Sequence, residues 1–285
     1  MDAIKMETLA TIVDEGSFEQ AAYALGISPS AVSQRVKSLE KSTGRVLLRR
    51  TTPVTATDAG EVIVQAARRM ALLQAETDAK LKNRLSRVPL SIAVNADSLS
   101  TWFRPVLAEM AQLGKASLRL RVEDESQTLA LLRRGDVLGA VTKESTPVSG
   151  CEVTSLSPQR YLAVAAPSLV AEGINWATLP VLRFGPADGL QDQMLDRHLT
   201  LGERVERAES IIPDVYAFTE AICVGLGWAL LPEVLASDLV AQKRLVVLDD
   251  EPLEVPLYWQ RWRLESELLS ALTQAVISAG TTPDA

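Results

Sequence analysis

The chain has 285 residues, 47% of them apolar and 23% charged, the profile of an ordinary globular protein long enough for two or three domains with their own cores. No run of about 18 uncharged apolar residues is present to span a bilayer, and two distant cysteines (Cys151, Cys223) with one histidine (His198) exclude a disulfide framework and a zinc or iron–sulfur site. The net charge of −7 argues against a generic nucleic-acid binder, but it divides into +3 over residues 1–87 and −10 over residues 88–285.

The N-terminus, MDAIKMETLATIVDEG, carries acids where a secretory leader would carry a basic cluster and an apolar core, so a cytoplasmic protein without membrane attachment is expected. Ile4, Met6, Leu9, Ile12 and Val13 recur near helical spacing and predict a first helix that stops at Asp14-Glu15-Gly16. Ser17 is placed to cap a second helix through Phe18, Ala21, Ala22 and Leu25, closed by Gly26. A third begins at once, with Ser28 as N-cap and Pro29 in the first turn, where its missing N–H costs nothing.

At roughly 100° per residue, Val32, Val36 and Leu39 of this third helix share one stripe, and Ser30, Ser33, Gln34, Lys37 and Lys41 share the opposite side. Hydroxyl, amide and ammonium groups on one helical face suit base edges and phosphates in a major groove, and two helices joined by a short glycine turn make a helix-turn-helix. Six cations against Glu40 alone between residues 27 and 50 strengthen that reading. The following segment, RVLLRRTTPVTAT, reads as a two-stranded wing whose Arg49, Arg50 and Thr51 would contact phosphates or a minor groove.

The stretch GSFEQAAYALGISPSAVSQRVKSLEKSTGRVLLRRTTPVTATDAGE is similar, nearly position by position, to the winged helix-turn-helix of LysR-type transcriptional regulators, most specifically at AVSQRVKSLE. That resemblance implies that Pro29, Ser30, Ser33 and Gln34 face bases and that basic wing residues face the backbone. Ser17, Ser28 and Lys37 complete the candidate DNA-binding set. Many members of the family carry Gln where this chain has Pro29, so any base contact made by that amide is absent here.

From Asp58 to Leu85 there is no proline, and Ala59, Ile63, Ala66, Met70, Leu73, Thr77 and Leu81 recur at three- and four-residue steps, a coiled-coil seam. Asp58 and Glu61 at its start and Lys80, Lys82, Arg84 and Arg87 at its end complement the helix dipole. The periodicity also fits a helix packed on the body; the reading adopted is a dimer-forming linker, since a dimer presents two heads to two half-sites.

Beyond Pro89, strand-like LSIAV, SLRLRVE and VLGAVT alternate with helical Leu99–Leu113 and Gln127–Arg134. A second set includes Tyr161-Leu-Ala-Val, VLRF, a helix from about Asp214 to Val224, GWALLP and LVVL, before LYWQRW returns toward the first set ahead of a C-terminal helix. This α/β pattern implies mostly parallel sheets, and the two lobes resemble the periplasmic-binding-protein-like effector domain of the same family. The expected division is a head over 1–57, a linker over 58–87 and an effector domain over 88–285, with lobe I at 88–163 and 265–285 and lobe II at 164–264.

Ligands of open parallel sheets sit beyond strand C-termini. There the chain places Asn95-Ala-Asp97-Ser98-Leu99-Ser100-Thr-Trp102, then Glu123-Asp124-Glu125, then Thr142, and Gly185-Pro-Ala-Asp188 after Phe184. Ser98 and Ser100 at a helix start suit a carboxylate, and the acids beside Asp97 suit a cation, although successive side chains on a strand alternate faces and cannot all point inward. NADSLSTWF, VEDE, LRRGDVLGAV and YWQRW closely match the ArgP and LysG branch of the family. This match implies a basic amino acid effector, lysine or arginine with histidine open, and control of a basic amino acid exporter. Phe184, Tyr216 and Phe218 are placed to close over the aliphatic stem of such an effector. The resemblance also implies a homodimer or homotetramer on double-stranded operator DNA, RNA polymerase as a further partner, and no metal or cofactor. An enzyme is disfavoured, because His198 lies in polar QDQMLDRHLT without a recognisable nucleophile or base partner. A plain solute-binding protein is opposed by the basic head.

Overall fold

The head is built from local signals. In the computed structural model, which describes residues 2–82, 88–114, 116–123, 125–200 and 207–281, α1 (Ala3–Glu15) is capped by Asp2, and α2 (Phe18–Leu25) and α3 (Pro29–Thr43) by Ser17 and Ser28. Gly26, at φ 64°, closes α2 in the left-handed conformation that a side chain rarely adopts, giving the short turn into α3. Val32, Val36 and Leu39 are all buried, against Leu9, Ile12, Ala21 and Leu47. The wing is β1 (Leu48–Arg49) antiparallel to β2 (Thr55–Ala56). It is fastened twice: Leu47 N–H donates to the Glu40 carboxylate (2.9 Å) and Val54 N–H to the Gly16 carbonyl (2.8 Å).

The linker helix α4 (Asp58–Lys82) has 25 residues and is about 38 Å long; Leu85, Arg84 and Arg87, assigned to its end from the sequence, lie outside the described residues. It is not a bare rod. Ile63, Val64 and Ala67 enter the head core, while Leu72 and Ala75 enter the lobe I core further along. Between these patches Arg68 bonds Asp14 of α1 and Asp136 of the body at once. The packed-helix and seam readings each describe one face, because Met70, Leu73 and Leu81 of the seam are exposed, as is Val62.

Lobe I continues with β3 (Val88–Val94), α5 (Ala96–Ser100), α6 (Arg104–Leu113), β4 (Ala116–Val122), α7 (Glu125–Arg134), β5 (Gly139–Thr142) and β6 (Cys151–Ser155). Lobe II holds β7 (Gln159–Ala165), β8 (Val181–Arg183), α8 (Leu190–His198), β9 (Glu209–Ile211), α9 (Val215–Cys223), β10 (Ala229–Pro232), α10 (Glu233–Ala241), β11 (Val246–Val247) and β12 (Leu253–Val255). The chain then returns as β13 (Tyr258–Trp262) and α11 (Glu267–Thr281). The lobe I sheet has the order β4-β3-β5-β13-β6, with β3 parallel to β4 and β5, and β13 antiparallel to both neighbours.

Three sequence expectations are corrected. The lobe II sheet is not mostly parallel: β7 runs antiparallel to β10, β11 and β12, and among the described residues the parallel strand pair of this lobe is β8 with β9. The lobe boundaries shift, since residues 159–163 pair within lobe II and β13, at 258–262, pairs within lobe I. The helix expected over Leu99–Leu113 is broken at residues 101–103. Pro105, which has no N–H to donate, fits only the first turn of the new helix.

Gly60, the one helix breaker in the linker, owes its place to the wing. A Cβ there would collide with the Leu47 carbonyl oxygen and crowd the Ala56 side chain. Helix propensity alone favours Gly60→Ala by about 1 kcal/mol, whereas overpacking at such a contact costs about 1–3 kcal/mol. Net destabilisation is therefore expected, read as a lower denaturation midpoint; an unchanged or raised midpoint would contradict this close approach.

Candidate nucleic-acid interface and effector cleft

On α3, Ser30, Gln34, Lys37 and Lys41 are exposed and Ser33 is half-buried, on the side away from the core stripe. Pro29 is exposed in the first turn. Ser17 and Ser28 hold their helices, Ser17 Oγ accepting from Gln20 N–H (3.0 Å) and Ser28 Oγ from Ala31 N–H (3.2 Å). Ser28 Oγ also lies 2.9 Å from Ser30 Oγ. The cation cluster is smaller than its count, because Arg35 turns inward and donates to Thr8 Oγ1 (3.2 Å).

Arg50 is exposed at the wing. Arg49 pairs with Asp58 at 3.2 Å, an exposed ion pair weak enough to exchange for a phosphate. Thr51 Oγ1 donates to the Pro53 carbonyl (2.7 Å) and so shapes the wing tip.

Between the lobes lies a cavity of about 430 Å³, within the usual size of a small-molecule site. Lobe I supplies Asn95, Asp97, Glu123 and Lys143, and lobe II supplies Phe184, the 185–190 loop, Gln193, Pro213, Val215 and Phe218. The first residues of α5, α8 and α9 all reach the lining. The cap of α5 is Asn95, whose Oδ1 accepts from Ser98 N–H (3.0 Å); Asp97 instead accepts at Oδ2 from the Tyr161 hydroxyl (2.8 Å). Phe184 and Phe218 meet edge to face at 6.0 Å and form an apolar wall. Three carboxylates, Asp97, Glu123 and Asp188, stand in the lining against one ammonium, Lys143.

Of the other residues named from sequence, those described stand outside this lining. Ser98 is fully buried, Leu99 packs on the lobe I core, and Ser100 Oγ donates to the Asp97 carbonyl (3.0 Å). Trp102 packs edge to face on Phe103 at 5.6 Å. Thr142 is fully buried and accepts from Glu144 N–H (3.1 Å), while its neighbour Lys143 reaches the cleft. Tyr216 is 77% exposed: two residues from Phe218 on one helix, it lies about 200° away and cannot share its face. Asp124 and the side chain of Glu125 lie outside the described residues.

Sequence reasoning placed Asn95 and Asp188 at strand ends but missed their roles, and it missed Lys143. The Asp188 carboxylate accepts from Phe184 N–H (3.0 Å), Leu190 N–H (3.2 Å) and Gln191 Nε2 (3.1 Å), which folds the loop over the cleft. Arg183 braces the same loop, bonding the Asp188 carbonyl, Asp192 through two 2.9 Å contacts and Glu209 at 2.8 Å. The Asp192 hydrogen bond foremost raises its guanidinium pKa above the ordinary value. The run FGPADGLQD, a turn sequence before a helix, is the signal that could have found this loop.

Groups suited to nucleophilic chemistry sit elsewhere. Burial pushes the Cys151 thiol up to about 12, and His198 is stacked on Trp176 at 4.2 Å with Nε2 2.7 Å from Asp249. Among the described residues, no group of three His, Cys, Asp or Glu side chains is arranged to hold a metal ion, and no helix is long and apolar enough to cross a membrane.

A winged helix-turn-helix joined by a long helix to a two-lobed ligand cleft defines a DNA-binding transcriptional regulator rather than an enzyme. Residues 4–61 match the bacterial regulatory helix-turn-helix proteins of the LysR family and residues 83–280 match the LysR substrate binding domain, so the chain belongs to the LysR family. The lysine export transcriptional regulatory protein LysG of Corynebacterium glutamicum is 57% identical over 284 residues, 98% of either chain. The full-length structure of LysG from C. glutamicum with bound effector Arg superposes with a TM-score of 0.83 at 55% identity, covering 99% of this chain and 100% of that one. The crystal structure of ArgP from Mycobacterium tuberculosis gives 0.86 at 40% identity, covering 98% and 97%.

The two kinds of head contact separate by experiment. Arg50→Ala should weaken binding about equally on specific and random DNA and lower the salt slope by about one. Gln34→Ala should instead reduce discrimination, by about 1–3 kcal/mol at the base pair it reads; equal losses on both DNAs would remove Gln34 from base recognition.

Proposed function

We propose that this regulator senses a basic amino acid, arginine or lysine, in the interlobe cleft and controls export of basic amino acids. The observation that carries the proposal is the charge of the cleft: three carboxylates and one ammonium line a cavity whose other wall is Phe184 and Phe218. A zwitterion with a second positive charge and an aliphatic stem matches that lining. Lys143, in the same lining, supplies a cation for its carboxylate. The bound effector Arg of C. glutamicum LysG, and that relative's name as a lysine export regulator, support the same class.

The regulator acts in the cytoplasm as a homodimer, or a homotetramer built from dimers, on double-stranded operator DNA, with RNA polymerase as its further partner and with no metal or cofactor. The exposed Met70, Leu73 and Leu81 of α4 support pairing of linker helices. An effector that binds the closed lobes better than the open ones shifts the population toward the closed arrangement, and only that difference in affinity can change the output at the promoter.

Thermal unfolding with each of the twenty amino acids tests the effector class. Arginine or lysine at about a hundredfold over its Kd should stabilise the protein by about 2.7 kcal/mol, an increase of several degrees in Tm. Leucine and glutamate should leave the Tm unchanged. No stabilisation by arginine, lysine or histidine, with an unchanged operator footprint, would overturn the proposal.

A further inference from the structure

Asp97 and Tyr161 join the two lobes at the edge of the cleft. Tyr161 lies in β7, the strand around which lobe II is assembled, with Pro232 of β10 and Leu253 of β12 as register partners on its two sides. Its ring is 1% exposed and packs in the lobe II core that includes Trp228 and Leu230. Backbone and ring are both held, so the hydroxyl has a fixed position. It donates to Asp97 Oδ2 (2.8 Å), and Asp97, on α5 of lobe I, lines the cavity.

We propose that Tyr161 is a positioning residue for the basic effector, orienting the Asp97 carboxylate toward a cationic group of the ligand and tying that contact to lobe II. The inference rests on the effector reading above. A hydroxyl donated to a carboxylate is a charge-assisted bond with strong directional preference, and it restricts the carboxylate to one rotamer. The bond joins the two lobes through residues 64 apart in sequence, so its geometry depends on how the lobes sit against each other. A cation that binds best to the oriented carboxylate therefore favours the same relation, and the coupling is reciprocal.

Calorimetric titration of the full chain with L-arginine, in wild type, Tyr161→Phe, Asp97→Asn and the double variant, tests the inference. Tyr161→Phe keeps the buried ring and should weaken arginine binding about tenfold. In the Asp97→Asn background the same change should have less than about a twofold effect, since there is no carboxylate left to orient. Asp97→Glu moves the carboxylate off the hydroxyl by one methylene and should also lose about tenfold, without disturbing the lobe II core. Wild-type affinity in Tyr161→Phe or in Asp97→Glu, or equal losses from Tyr161→Phe in both backgrounds, overturns the positioning role. Failure of the wild-type protein to bind arginine, lysine or histidine is a separate result that overturns the effector reading and this inference with it.

Discussion

Everything about the relation of head to sensor depends on one face of α4. Its first half completes the head core through Ile63, Val64 and Ala67, and its second half completes lobe I through Leu72 and Ala75. Polar contacts of α4 are equally specific. Arg68 draws one carboxylate from the head and one from lobe I, and the buried Glu76 accepts from Ser266 Oγ and Leu268 N–H at the start of α11. A carboxylate at the positive end of a helix is favourable, and burial makes its loss costly. Gly135, at the turn beside Asp136, lets that turn approach Gln65 closely enough for Gln65 Nε2 to donate to the Arg133 carbonyl. The head, the linker and lobe I are therefore packed together along α4, and lobe II joins them through lobe I.

That division gives the cleft its mechanical meaning. Lobe II is attached through the chain crossings before β7 and after β12, and through contacts such as Tyr161–Asp97. Its own loop over the cleft is made stiff by Asp188 and Arg183, so the wall facing the effector is preformed. Of the acids in the lining, Asp188 spends its carboxylate on loop geometry, so the proposed effector reading rests on Asp97 and Glu123 of lobe I as the acids for a ligand cation. The −10 charge of the body is thus spread over several different tasks.

The helix-turn-helix was legible because its determinants are local: Ser17 and Ser28 cap within three residues, and the Val32–Val36–Leu39 stripe is set by helical period. Family likeness extended the reading to the whole chain. The lobe II sheet was less legible, because strands of two or three residues such as β9, β11 and β12 leave no periodic signal and their direction is set by partners far away in sequence. Pro105, inside the Leu99–Leu113 pattern, is the local mark of the break, since it fits only a first helical turn. In the cleft, strand ends located Asp97, Glu123 and Phe184. Nothing local could show that Tyr161 meets Asp97, that Arg35 turns to Thr8, or that Phe218 rather than Tyr216 faces the lobe interface.

Glu40, the single acid in the cation-rich stretch of the head, is tolerated because its carboxylate is turned to Leu47 N–H, on the path from α3 to the wing. With Val54 anchored to Gly16 as well, the recognition helix and the wing are parts of one stiff tool. Base-reading and phosphate-gripping groups then advance or withdraw together when the linker moves. Sequence recognition and nonspecific grip are thus presented in one fixed relation, so the register of the wing on the backbone sets which base edges the helix meets.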